Sequence, residues 1–152
     1  MRYISTRGVS PALNFEEVLM AGLATDGGLY VPESIPVFSN EEIKAFRSVK
    51  YVEVAYRVMK PFVGDTFTES EFKSLIGSAY SSFYNSDVCP LIELSENTFL
   101  LELFHGPTLA FKDVAMQLIG KMFDSILRRR SSRATIVAAT SGDTGSAAME
   151  AF

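Results

Sequence analysis

The sequence predicts an α/β protein: a mostly helical leader over residues 1–86, followed over residues 87–152 by the start of a parallel sheet with flanking helices. Three observations lead there. Helix-opening residues recur through the first part, each with a glutamate three places later. In the second part, apolar runs of strand length alternate with a long amphipathic pattern. Finally, ATIVAAT at 134–140 is apolar on both faces, as strands inside parallel sheets are.

In chain order, Asn14 with Glu17, Ser39 with Glu42 and Thr68 with Glu71 each form a capping-box pattern, in which the first side chain and the glutamate satisfy each other's free backbone donors. They open helices expected over 14–24, 40–47 and 68–84, with the apolar-patterned YVEVAYRVMKPF at 51–62 between the last two. TDGGLYVP at 25–32 supplies a glycine turn and a short strand stopped by Pro32. DVCPLIEL and TFLLELF, separated by Ser95, Glu96 and Asn97, predict a hairpin or tight turn. A long helix is expected over 108–130, then the ATIVAAT strand, then a strand-to-helix corner in SGDTGSAAMEAF. That last pattern reaches Phe152 without a C-cap, and a sheet of one or two parallel strands cannot cover itself. The chain is therefore expected to be the beginning of a larger fold.

Composition narrows the function classes. The chain is 47% hydrophobic and 21% charged, with a formal charge of -4, which argues against nucleic acid or an anionic membrane as partner. The basic run RRRSSR at 128–133 is read as a solvated turn complementing the negative end of a helix. Cys89 is the only cysteine, so there is no internal disulfide, and with one histidine no metal site is expected; Cys89 itself reads as a small buried hydrophobe. The N-terminus lacks the apolar run of a signal peptide and no segment reaches membrane-spanning length, so a cytoplasmic protein is expected.

Lys112, in HGPTLAFKD at 105–113, is the first candidate for chemistry. On a helix it shares a direction, within about 60°, with Met116, Ile119, Phe123, Ile126 and Leu127, whereas Asp113, Gln117, Lys121, Asp124 and Arg128 fall elsewhere with the solvated charges. Burying an ammonium without a partner favours its neutral form, and a neutral amine is what attacks an aldehyde. The alternative is a lysine whose stem lies on the core while its head reaches water; both readings stand. The second candidate is ATSGDTGSAA at 139–148. Thr140, Ser141, Gly142 and Thr144 surround a strand-to-helix corner whose free N–H groups and hydroxyls suit a small anion. Plain capping by Ser141 or Asp143 would explain the same residues. An amine for an aldehyde cofactor beside a cradle for an amino acid's carboxylate is the layout of a pyridoxal-phosphate (PLP) enzyme.

YISTRG at 3–8, GLATDGGLYVP at 22–32, ELFHGPTLAFKD at 102–113 and ATSGDTGSAA at 139–148 come in the order and spacing of the threonine synthase family, and the chain resembles that family over its whole length. The resemblance implies a fold-type-II PLP-dependent enzyme, a carbon–oxygen lyase acting on a phosphate ester. Such an enzyme converts O-phospho-L-homoserine and water to L-threonine and phosphate, the last step of threonine biosynthesis. It implies that Lys112 carries PLP and, once freed, shuttles protons. It also implies that Thr140, Ser141, Gly142 and Thr144 hold the substrate carboxylate. Asp143 stands where related enzymes have an asparagine that reaches the cofactor's 3-oxygen. An ionised carboxylate there would repel that oxygen, so Asp143 is either protonated or serves another purpose. Arg7 is open to a phosphate-binding or a packing role, and His105 to flanking the cofactor or to a turn role. The family's phosphate-binding loop and pyridine-nitrogen partner come later in the chain than Phe152, so the isolated chain is expected to be inactive. Two alternatives remain: a sister PLP lyase such as threonine dehydratase or cysteine synthase, and a non-catalytic threonine-synthase-like binding protein.

Overall fold

A computed structural model describes residues 1–152, which divide into two compact units, Met1–Phe72 and Lys73–Phe152.

In the first unit, β1 (Tyr3–Ser5) pairs antiparallel with β2 (Tyr30–Pro32), Ile4 facing Val31. Between them lies α1 (Phe15–Ala21). Asn14 accepts from the Glu17 N–H at 2.9 Å while Glu17 accepts from the Asn14 N–H at 2.8 Å, the reciprocal cap its sequence predicts. The helix ends three residues earlier than expected because Gly22 takes φ 69°, a left-handed conformation that costs glycine little. Ser39 and Glu42 form the same reciprocal cap on α2 (Asn40–Ala45), which continues into one tighter turn over Phe46–Ser48. YVEVAYRVMKPF becomes α3 (Tyr51–Val63), terminated at Gly64, φ 60°. The Tyr3 hydroxyl donates to the Phe62 carbonyl at 3.0 Å, tying β1 to the end of α3. Buried Tyr3, Ala55, Val63, Phe67 and Phe72 make the core, with the last two rings stacked at 5.9 Å.

Helix α4 (Glu69–Tyr80) opens at Thr68, whose hydroxyl accepts from the Glu71 N–H at 3.2 Å, and buries Phe72, Ile76 and Ala79. It stops at Tyr80 rather than at 84. The hydroxyls of Ser81 and Ser82 donate back to the carbonyls of Ser78 and Ala79, offering these groups a partner outside the helical ladder.

In the second unit, β3 (Leu91–Ser95) and β4 (Thr98–Leu101) form the expected hairpin, turning at Glu96–Asn97 with Asn97 at φ 58°. Cys89, ahead of β3, is half-buried rather than buried. Helix α5 (Asp113–Arg129) ends in the exposed arginine run, and α6 (Asp143–Ala151) packs along it. A Cβ on Gly120 would lie 2.4 Å from the Ala151 carbonyl oxygen, so only glycine permits this approach. The Phe123 and Phe152 rings meet edge to face at 5.9 Å.

The α/β class holds, with six helices and two small sheets, but both sheets are antiparallel pairs. Residues 134–140, expected as a parallel strand, form no ladder, and Val137 is 91% exposed. A strand's N–H and C=O groups need a neighbouring strand, and no segment of residues 1–152 lies beside this one as a partner. No helix is long and apolar enough to cross a membrane.

Candidate active site

The corner His105–Lys112 leads from β4 into α5. The His105 ring lies 2.6 Å from Glu102 Oε2 and its carbonyl accepts from the Tyr84 N–H at 2.9 Å. His105 is thus held from both its ring and its backbone. Gly106 is buried, and a Cβ there would stand 2.4 Å from Asp113 Cβ. Leu109 adopts φ 63°, a left-handed conformation uncommon outside glycine.

Lys112 is the residue just before α5, with helical φ -60° and ψ -26°. It is half-buried, and its Nζ lies 4.6 Å from the centroid of the Phe111 ring, a cation–π distance. No carboxylate pairs with it. Its stripe of Met116, Ile119, Phe123 and Leu127 is half-buried too.

The helical wheel misplaced two polar residues. Asp113 and Gln117 are buried, not solvated. Asp113 Oδ2 accepts from the Thr108 N–H at 2.8 Å and from the Thr108 hydroxyl at 2.9 Å, while Oδ1 accepts from Gln117 Nε2 at 3.3 Å. These bonds satisfy a carboxylate that water cannot reach. A wheel registers angle only. The one hint in the sequence is a threonine placed five residues before an aspartate, just after a Gly-Pro turn.

At the other corner, the α6 cap comes from neither Ser141 nor Asp143. Thr140 Oγ1 accepts from the Gly142 N–H at 3.1 Å and from the Gly145 N–H at 3.0 Å, leaving its own O–H free to donate. A Cβ on Gly145 would sit 2.7 Å from that oxygen. Gly142 takes φ 141°, which excludes a side chain there. Ser141, Gly142 and Asp143 are exposed and Thr144 is half-buried; Asp143 occupies the first turn of α6, where negative charge suits the helix dipole. Lys112 and the 140–144 loop therefore stand at the N-terminal ends of two helices packed on each other, with no hydrogen bond between them.

The remaining motifs, YISTRG and TDGG, interlock in the first unit. Asp26 Oδ1 accepts from the Ser5 hydroxyl at 2.7 Å and the Gly28 N–H at 2.9 Å, and Oδ2 from the N–H groups of Val9 and Ser10 at 3.0 and 2.9 Å. Desolvation raises the Asp26 pKa, and the bonds from Ser5, Ser10, Gly28 and Val9 outweigh it, holding the carboxyl well below the usual carboxylate range. The Arg7 guanidinium donates to the Asp26 carbonyl at 3.0 Å, so Arg7 packs this knot together.

The family model for the threonine synthase N terminus matches residues 2–80. The chain belongs to the threonine synthase family. Threonine synthase of Pseudomonas aeruginosa is 56% identical over 150 residues, which cover 99% of this chain and 32% of that protein. The crystal structure of PLP-bound threonine synthase from Brucella melitensis superposes with a TM-score of 0.96 at 55% identity, over 100% of this chain and 33% of that one. Yeast threonine synthase follows, with a TM-score of 0.90 at 37% identity, over 99% of this chain and 32% of that one. The chain thus spans about a third of the length of the threonine synthases it matches.

Proposed function

We propose that this chain forms part of a cytoplasmic threonine synthase acting on O-phospho-L-homoserine, with Lys112 as the lysine that holds PLP. The observation that carries the reading is the state of Lys112: an amine at a rigid corner, beside an aromatic ring and unclaimed by any carboxylate. Family membership and the likeness to a PLP-bound relative support it. The donor set fits the cofactor and an amino-acid substrate, because a free amine suits an aldehyde and the Thr140 O–H with the exposed Ser141 suits a carboxylate.

When bound, PLP supplies an electron sink for charge developing at the substrate's Cα. Lys112 Nζ holds the cofactor in place and, when freed, takes the Cα proton and returns it later in the reaction. Thr140, Ser141, Gly142 and Thr144 orient the substrate by its carboxylate. Asp143, exposed in the first turn of α6, is the residue of that loop that would face the cofactor.

The test is phosphate release from O-phospho-L-homoserine by the full-length protein, with Lys112→Ala beside it. The variant is expected to lose at least about a hundredfold, as removal of a general base does. A variant within a few-fold of the parent would overturn the assignment.

A further inference from the structure

Lys112 Nζ makes no hydrogen bond, so the point from which its side chain starts is set by its backbone alone, and that backbone is tied on both sides. The Lys112 carbonyl accepts from the Met116 N–H at 2.9 Å, and the Asp113 N–H donates to the Ala110 carbonyl at 3.0 Å. The third tie is the Asp113 side chain, which is 0% exposed and grips Thr108 twice, at 2.8 and 2.9 Å. Those two bonds close the segment 108–113 into a ring, holding Leu109 in its left-handed conformation and fixing the approach of the chain to Lys112. Gln117, one turn on, occupies the other Asp113 oxygen at 3.3 Å, so the carboxylate cannot rotate away without breaking a bond. Gly106 packs against Asp113 so closely that no side chain fits between them.

We propose that Asp113 is the positioning residue of this site: through Thr108 it locks the 106–112 corner and so fixes the direction from which the Lys112 amine meets its partner. This rests on the reading of Lys112 as the cofactor lysine. Asp113 acts through Lys112 and touches neither cofactor nor substrate. Helix stabilisation alone would also use an aspartate in a first turn. That role would alter unfolding and leave the chemistry of Lys112 in the folded protein untouched.

The experiment uses the full-length protein stripped of cofactor. It follows the rate at which added PLP becomes linked to Lys112, trapped by borohydride at timed intervals and located by mass spectrometry. The pH titration of the bound cofactor's absorbance band is read in parallel. Thr108→Val removes the hydroxyl bond while keeping the shape, Thr108→Ser restores it, and Asp113→Asn removes the charge. A hydrogen bond to a charged group corresponds to about tenfold or more in an equilibrium. Thr108→Val and Asp113→Asn are therefore expected to slow linkage at Lys112 by about that factor and to shift the titration, with Thr108→Ser near the parent. Folded variants with the parent's linkage rate and titration would overturn the proposal and leave Asp113 a helix-capping residue. If Asp113→Asn does not fold, Thr108→Val decides alone. A Lys112→Ala protein that still shows the band would overturn the reading beneath, a result distinct from the other two.

Discussion

Gly106→Ala puts one methyl group where the corner meets Asp113. The added Cβ would lie 2.4 Å from Asp113 Cβ, 2.5 Å from its Oδ2 and 2.8 Å from its Cγ, against ordinary contact beginning at 3.4 Å. Something must move by roughly 1 Å. Asp113 Cβ is fixed to the helix, and the side chain is buried, so neither can swing into water. Two responses compete. Lifting the corner away breaks both Thr108 bonds to a buried carboxylate, about 1.5–3 kcal/mol each. Straining the corner in place costs about 1–3 kcal/mol, as overpacking does. The second is cheaper and wins, offset by up to about 1 kcal/mol from the stiffer unfolded chain. The net expectation is about 1.5 kcal/mol of destabilisation, which lowers a urea midpoint by about 0.5–1 M for a typical slope. Gly77→Ala is the control: nothing lies within 4 Å of its added Cβ in α4, so it is expected to stabilise by about 0.5–1 kcal/mol. Urea unfolding of the two variants side by side is the assay. If Gly106→Ala moves the midpoint upward with Gly77→Ala, the close packing of corner on helix is wrong.

Gly120→Ala drives a Cβ to 2.4 Å from the Ala151 carbonyl and should destabilise by about 1–3 kcal/mol despite better helix propensity, read from the same midpoints. Thr140→Val leaves the Gly142 and Gly145 amides without their acceptor, which should cost about 1 kcal/mol and speed hydrogen exchange at both, while Thr140→Ser stays near the parent. The Asp26 pKa is lower folded than unfolded, so its contribution is complete above the unfolded value of about 4 and drains away as pH falls below it. Asp26→Asn should therefore destabilise at neutral pH and show a shallower loss of stability on acidification; parallel pH profiles would contradict this.

How much could be read beforehand follows from how local each signal is. Asn14–Glu17 and Ser39–Glu42 are contacts over three residues, and both caps form as their spacing requires. The hairpin turn at Asn97 is equally local. Residues 134–140 fail as a strand because pairing is a property of two segments, and an apolar run carries no record of its neighbour. At the site, Lys112 and the 140–144 loop stand out by residue type in a particular setting. The Asp113–Thr108–Gln117 lock was invisible because a polar residue buried among polar partners looks, on a wheel, like one facing water. Arg7 and Asp26 were separable only as motifs; that they form one knot depends on β1 lying beside β2.

The most direct test of the account is to reduce the full-length, PLP-loaded protein with borohydride and map the modified peptide by mass spectrometry. Residues 1–152 contain six lysines, at 44, 50, 60, 73, 112 and 121. One reduced adduct is expected, on Lys112, and none in the Lys112→Ala protein. Label spread over several lysines, or concentrated on any other, would contradict it.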